Sequence, residues 1–164
     1  MIRLTPTPQS TQALTDFFER IERALTPPDA ELEQIRTEIR AGFERNFTEE
    51  ASAAGPWAPL ARWTVLERTR LGFGPTHPIL VRTGDYAASW LDPGNQDHVS
   101  ETRTTAGIIE IAEGSQDERA DVLEAGSALV PARPVAPLQA PDIYQIEDTI
   151  TAMLDRLFPN EAGT

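Results

Sequence analysis

The sequence predicts an α+β protein in which helices pack on an antiparallel sheet of about four strands. Two long stretches, one in each half of the chain, repeat apolar residues at spacings of three and four, as amphipathic helices do. Between them, β-branched and polar residues alternate as in strands. The 164 residues are enough for one domain with a hydrophobic core, and a hydrophobic content of 40% is typical of globular proteins.

We expect a single domain, 1–164, with five regions along the chain. Prolines in the first region exclude a helix there, and a proline also ends the last helix. The regions are an extended arm at 1–9, helices at 10–53, loops, short helices and the sheet at 54–140, a C-terminal helix at 141–158 and a tail at 159–164.

Two helices are predicted in the N-terminal half. The first begins near Ser10, carries Phe17 and Phe18 on its apolar side, and ends before a proline pair at 27–28. It either forms a hairpin with the second helix or docks on another chain. The second covers 29–52, with Phe43 and Phe47 on its apolar side and Gly42 leaving room for a bulky neighbour.

The middle of the chain begins with a loop that ends the long helix. Trp57 lies between two prolines, so it is either a plug over the core or an interface anchor. A short helix is predicted at 64–71 and a short strand at 79–81. Thr83 is positioned to cap the next helix, in which Tyr86 and Trp90 are four residues apart and share one face.

A β-hairpin and a final helix complete the pattern. Residues 98–104 and 108–111 read as antiparallel strands joined by a turn at 106–107, followed by a hydrophilic loop at 113–119. The last helix begins near Asp142 and ends before Pro159.

The charge of the chain limits its partners. There are 26 acidic and 14 basic residues, a net charge of -12, and every basic residue is arginine. Such a chain is poorly suited to bind a phosphate backbone, but it could line a passage through which DNA slides.

The chain has no cysteine, which excludes disulfides, thiolate metal sites and cysteine nucleophiles. Neither a membrane span nor an apolar signal core is visible, so we expect a soluble cytoplasmic protein with no membrane partner.

Residues that could support catalysis do not form a recognisable set. His77 and His98 are 21 positions apart and have no partner at metal-ligand spacing. Ser89 lacks the surrounding glycines of a nucleophile elbow. We therefore expect neither enzyme activity nor a cofactor, and we interpret Arg82 and Arg133 as members of structural ion pairs.

Several short motifs occur in an ordered series. They are Gly55-Pro56-Trp57-Ala58-Pro59-Leu60, then Thr64 and Arg68, then Ile-Leu-Val-Arg-Thr-Gly-Asp-Tyr-Ala-Ala-Ser-Trp at 79–90, then Glu124-Ala125-Gly126 and Pro131-Ala132-Arg133-Pro134. Over about residues 35–158 this series resembles the phage virion morphogenesis (tail completion) family of tailed bacteriophages. The chain departs from that family at Val135, where an aromatic residue usually follows Arg-Pro, and at Leu123 or Glu124, before the glycine.

The resemblance implies a structural virion protein at the head–tail junction, made in the host cytoplasm. It would form a ring, a hexamer, that completes or terminates the tail. Its partners would be other copies, the tail tube protein and head–tail connector proteins, with DNA only as transiting genome. Two alternatives stay open: a head-side connector or adaptor, and, from a different class, an acidic DNA-mimic inhibitor.

If the resemblance holds, one set of residues maintains the fold and its ring contacts, while the loops at 72–78 and 113–119 bind partner proteins. No catalytic, cofactor-binding or metal residues are predicted. The predicted fold and interface residues are Trp57, Leu60, Arg82, Gly84, Tyr86, Trp90, Gly126 and Arg133.

Overall fold

The computed structural model of the chain describes residues 12, 15–19, 21, 28–74, 76–105 and 108–157. Its elements, in chain order, are α1 (Asp29–Glu49), β1 (Ala51–Ser52), β2 (Gly55–Pro56), α2 (Arg62–Arg70), α3 (Asp85–Leu91), β3 (His98–Thr105), β4 (Ile108–Ser115), α4 (Ala120–Ala125) and α5 (Ala140–Leu157). The α+β class, the long helix in the N-terminal half and the C-terminal helix are confirmed.

Some predicted regions lie outside the described residues. These are the arm at 1–9, the tail at 159–164, the turn at 106–107 and most of the first predicted helix, within which residues 12, 15–19 and 21 are helical.

The four described strands form two small antiparallel sheets of two strands each. β1 pairs with β2, and β3 pairs with β4 so that His98 lies opposite Ser115 and Thr105 opposite Ile108. The sequence analysis expected one sheet, whereas the strands are divided between two hairpins. The two-residue strands β1 and β2 turn back at the end of α1.

Helix α1 is the element on which the others pack. It begins after Pro28, with Asp29 and Glu31 in its first turn, where the helix dipole favours acidic residues. Its buried side carries Phe43 and Phe47. It ends at Glu49, and the left-handed φ of 51° at the next residue, Glu50, turns the chain into β1.

Aromatic side chains from three segments form the centre of the core. The ring of Phe43 meets Trp90 edge to face with centroids 5.1 Å apart, and Phe47 meets Trp57 at 5.8 Å and Tyr86 at 6.1 Å. Edge-to-face pairs at these distances are favourable beyond the area that they bury. The core therefore joins α1, the loop after β2 and α3.

Helix α5 packs along α1, and its N-terminal end comes very close to Gly42. A Cβ atom added at Gly42 would lie 2.6 Å from Leu138 Cδ2 and 3.1 Å from Asp142 Cγ. The buried Asp142 carboxylate forms an ion pair of 2.9 Å with Arg45 Nη1, and Thr149 Oγ1 donates to Glu38 Oε1 at 2.7 Å. The expectation that Gly42 admits a bulky neighbour agrees with this contact.

The strand predicted at 79–81 is wrong, because these residues form a turn. Leu80 has a φ of 65°, and the backbone N–H of Ile79 donates to Glu50 Oε1 at 2.6 Å rather than to a neighbouring strand. The predicted Thr83 cap is also wrong: Gly84, with a φ of 88°, occupies the cap position, and Thr83 Oγ1 donates to the Asp85 side chain.

The loop predicted at 113–119 begins later than expected, because β4 continues to Ser115. Alternate strand residues face the same side, so Glu113 shares its side of β4 with Ile109 and Ile111. Beyond the strand, the chain forms the short helix α4, which the sequence analysis did not predict.

Candidate functional site

Trp57 is buried, as the plug interpretation predicts. Its side chain is 6% exposed, and its indole Nε1–H donates to the backbone carbonyl oxygen of Pro134 at 2.9 Å. The bond satisfies the polar end of a buried indole, which would otherwise cost free energy. Trp57 thus joins the loop after β2 to the segment around Arg133.

Arg133 makes the reciprocal connection. Its buried guanidinium donates from Nε to Ala58 O at 2.9 Å and from Nη2 to Pro59 O at 3.3 Å. Burial lowers the pKa of Arg133, and the nearby positive charge of Arg68 lowers it further. The expected ion pair at Arg133 is wrong: within the described part of the chain, its partners are neutral carbonyl groups.

Tyr86 and Trp90 are both buried on the side of α3 that faces α1. Burial raises the pKa of the Tyr86 hydroxyl far above its ordinary value. Gly84 begins the same helix in a left-handed conformation. These three predicted residues therefore belong to the core and to the start of α3.

Leu60, Gly126 and Arg82 complete the predicted set. Leu60 is partly buried against the core. Gly126 has a φ of 74°, and a Cβ atom there would lie 2.8 Å from the backbone nitrogen of Ala132. Arg82 is exposed and forms no ion pair with any described residue, so the ion pair expected there is also wrong. Seven of the eight predicted residues therefore support the fold, and Arg82 alone lies on the surface.

A buried polar cluster around Glu113 was missed by the sequence analysis. Its fully buried carboxylate accepts from Ser100 Oγ at 2.5 Å and contacts His98 Nε2 at 3.1 Å and Arg40 Nη1 at 3.3 Å. Arg36 Nε lies 3.6 Å away. Because its two carboxylate oxygens contact side chains of α1 and of β3, Glu113 joins the hairpin to α1. In the sequence, Glu113 follows Ile109 and Ile111 at alternate positions, and this pattern was the available signal that Glu113 shares their side of the strand.

Metal binding and membrane insertion have no support in the described residues. No group of three or more His, Cys, Asp or Glu side chains there is close enough to hold a metal ion. Nor does any helix among them combine the length and apolar character needed to cross a bilayer.

Three arginines stand out on the surface. Of the eleven arginines that the structure describes, six form ion pairs and two, Arg68 and Arg133, donate to backbone carbonyls. The other three, Arg62, Arg70 and Arg82, have no ion pair or side-chain hydrogen bond in the described part of the chain.

Two of these arginines lie on α2, a helix whose outer side is apolar as well as basic. Arg68 is the one buried residue of α2. At 3.6 residues per turn, the opposite side of the helix carries Trp63, Leu66 and Arg70. Trp63 is 70% exposed, Leu66 50% and Leu71 59%. Glu67 is also exposed and lies one helical turn from Trp63 and from Arg70. We call the following surface the basic patch: Arg62, Trp63, Leu66, Arg70 and Leu71.

A cleft of about 250 Å³ lies beside α2 and is lined by Glu67, Arg68, Arg82 and Arg119, together with Tyr86. Arg119 is paired with Asp117 and lies over the Tyr86 ring at 5.3 Å from its centroid. Burial lowers the pKa of Arg68, and the positive charge of Arg82 lowers it further.

Comparisons with known proteins give no further assignment. No protein-family model, no curated protein sequence and no solved structure matches the chain.

Proposed function

We propose that the protein is a structural component of a tailed-phage virion that completes or terminates the tail at the head–tail junction. It acts as a ring, a hexamer, through which the genome passes. It is made in the host cytoplasm and then becomes part of the virion. Its partners are other copies of the chain, the tail tube protein and the head–tail connector proteins.

One observation carries this proposal: segments that hold the motif series converge, although they are far apart in sequence. The loop at Trp57 and the segment at Arg133 are joined by reciprocal hydrogen bonds. The helix that carries Tyr86 packs on the same aromatic core. Residues that resemble a family's motifs and also hold one another in place support the interpretation that the motifs specify one shared core.

The charge of the chain is consistent with a passage for DNA. At a net charge of -12, the protein has a repulsive field towards a phosphate backbone, which would let DNA slide without being retained. We therefore propose neither specific DNA binding nor a catalytic step.

Capture experiments test the role and its position in the virion. The tagged protein would be produced together with the tail tube protein of the same phage, and separately with the portal-side connector. Retention of the tube protein supports the tail-end role, whereas retention of the connector alone indicates a head-side adaptor. Retention of neither contradicts the proposal, and a monomer that instead inhibits a DNA-processing enzyme would support the DNA-mimic alternative.

A further inference from the structure

Among the described residues, the basic patch has no ion-pair partner. Arg62 and Arg70 form no salt bridge there, and Trp63 and Leu66 expose large apolar surfaces beside them. Exposed apolar side chains grouped with unpaired charges are typical of a surface that another molecule covers.

The outer side of α5 has the opposite character. Asp142 and Met153 are buried on the side of α5 that faces α1. The opposite side presents Glu147, Asp148 and Asp155, none of which forms an ion pair with any residue that the structure describes. Tyr144, 64% exposed, lies among them. We call the following surface the acidic face: Tyr144, Glu147, Asp148, Thr151 and Asp155.

We propose that the basic patch of one copy binds the acidic face of the next copy. The inference rests on the proposed function, because it assumes that copies of the chain assemble into a ring. It specifies which two surfaces meet at each contact between copies. The arginines of α2 lie opposite the carboxylates of α5, and Trp63 packs against Tyr144.

Charge complementarity selects this pairing over others. Each copy carries a net charge of -12, so most ways of bringing two copies together place like charges opposite each other. Arg62 and Arg70 lie on α2 without an ion pair to any described residue and outnumber the one exposed carboxylate of that helix, Glu67, so the basic patch is a region that attracts an acidic neighbour. Because the basic patch and the acidic face are different surfaces, the contact is heterologous and can repeat from copy to copy around a ring.

Nucleic acid is a less suitable occupant of the basic patch. A phosphate backbone would neutralise the arginines but would leave Leu66 and Leu71 in water, and the rest of the chain would repel it. The acidic face suits both the arginines and the apolar side chains of the basic patch, because it supplies carboxylates and an exposed aromatic ring.

Reversing the charges of each surface tests the contact. R62E/R70E makes the patch acidic, and E147R/D148R makes the outer side of α5 basic. All four positions are exposed, so both variants should fold with the circular dichroism and unfolding midpoint of the wild type. In native mass spectrometry, performed with the tail tube protein if assembly requires it, each variant alone should lose at least tenfold in assembled fraction.

Mixing the two variants should restore assembly. Each patch of one variant then meets the opposite charge on the other, so the copies alternate around the ring. R103E, at an exposed position outside both surfaces, is the matched control and should assemble like the wild type. Since the chain has no cysteine, L66C in one copy and Y144C in another should form an intermolecular disulfide under mild oxidation.

The outcomes separate this inference from the proposed function. A wild-type ring that survives both charge reversals overturns the inference and leaves the ring intact. A wild-type protein that forms no ring, alone or with the tube protein, overturns both. Duplex DNA that binds the wild type but not R62E/R70E would identify nucleic acid as the occupant of the patch and would also overturn the inference.

Discussion

At the scale of single residues, backbone carbonyls rather than carboxylates are the partners of the buried arginines. Arg133 donates to Ala58 O and Pro59 O, and Arg68 Nη1 donates to Pro78 O at 2.9 Å. A guanidinium presents several donors in a fixed plane, so one side chain can hold two carbonyl groups of an irregular loop. These arginines therefore order loops that have few backbone hydrogen bonds of their own.

We expect R133K to lower the free energy of unfolding by about 1 to 3 kcal/mol, because the lysine ammonium cannot reproduce both bonds and leaves a buried carbonyl without a donor. Urea unfolding followed by circular dichroism measures the change. R103K, at an exposed ion pair, is the matched control and should change stability by less than about 0.5 kcal/mol. Equal effects of the two substitutions would refute the structural role of Arg133.

Asp117 and Arg119 make stability depend on pH. Hydrogen bonds from the Arg119 side chain hold the pKa of Asp117 below its ordinary value. A lowered folded-state pKa contributes stability above the unfolded pKa of about 3.9, and this contribution is lost as pH falls through the lower folded value. The contribution of this pair is therefore present at pH 7 and absent in strong acid.

We expect D117N to be less stable than the wild type by about 1 kcal/mol at pH 7, since Arg119 is half exposed and its ion pair is partly screened. The difference should shrink as pH falls below the unfolded pKa of about 3.9 and through the lowered folded-state pKa. Thermal unfolding at a series of pH values measures it. A difference for D117N that stays constant with pH would contradict the assignment.

At the scale of elements, long helices were predictable because their apolar spacing extends over many turns. The apolar spacing repeats over the 21 residues of α1 and the 18 residues of α5, so single positions that depart from it do not hide the helical pattern. The spacing of Tyr86 and Trp90 likewise predicted their shared buried side. The turn at 79–81 was not predictable, because a hydrogen bond from Ile79 to Glu50, 29 residues earlier, overrides the local β preference.

The spacing of charged residues in the sequence did not predict the ion pairs either. Which arginines meet carboxylates depends on how α1, the hairpin and α5 pack together, so the ion pairs predicted for Arg82 and Arg133 do not occur among the described residues. For the same reason, the basic patch could be recognised only after the other arginines had been matched to their partners.

The contact between α1 and α5 is tight enough to test. G42A should lower the free energy of unfolding by about 1 to 3 kcal/mol, because its Cβ must displace Leu138 or Asp142, and this cost exceeds the gain in helix propensity. A41G is the matched control: Ala41 is exposed, so the change should cost only about 1 kcal/mol of propensity. If G42A were more stable than the wild type, the close packing of α5 on α1 would be wrong.

At the scale of the whole molecule, charge is distributed unevenly. Acidic residues predominate and give the net charge of -12, while Arg62 and Arg70, which form no ion pair with any described residue, both lie on α2. A uniformly acidic chain would repel its own copies from every direction. Local reversal of sign instead gives a preferred direction of approach, which is what ring assembly requires.

The most direct test of the account is the mass of the purified protein in solution, alone and with its tail tube protein. We expect a ring of about 109 kDa, six times the 18.1 kDa chain, which dissociates as salt concentration rises because its contacts are electrostatic. A species that stays at 18.1 kDa at every concentration and with every virion component would contradict the account.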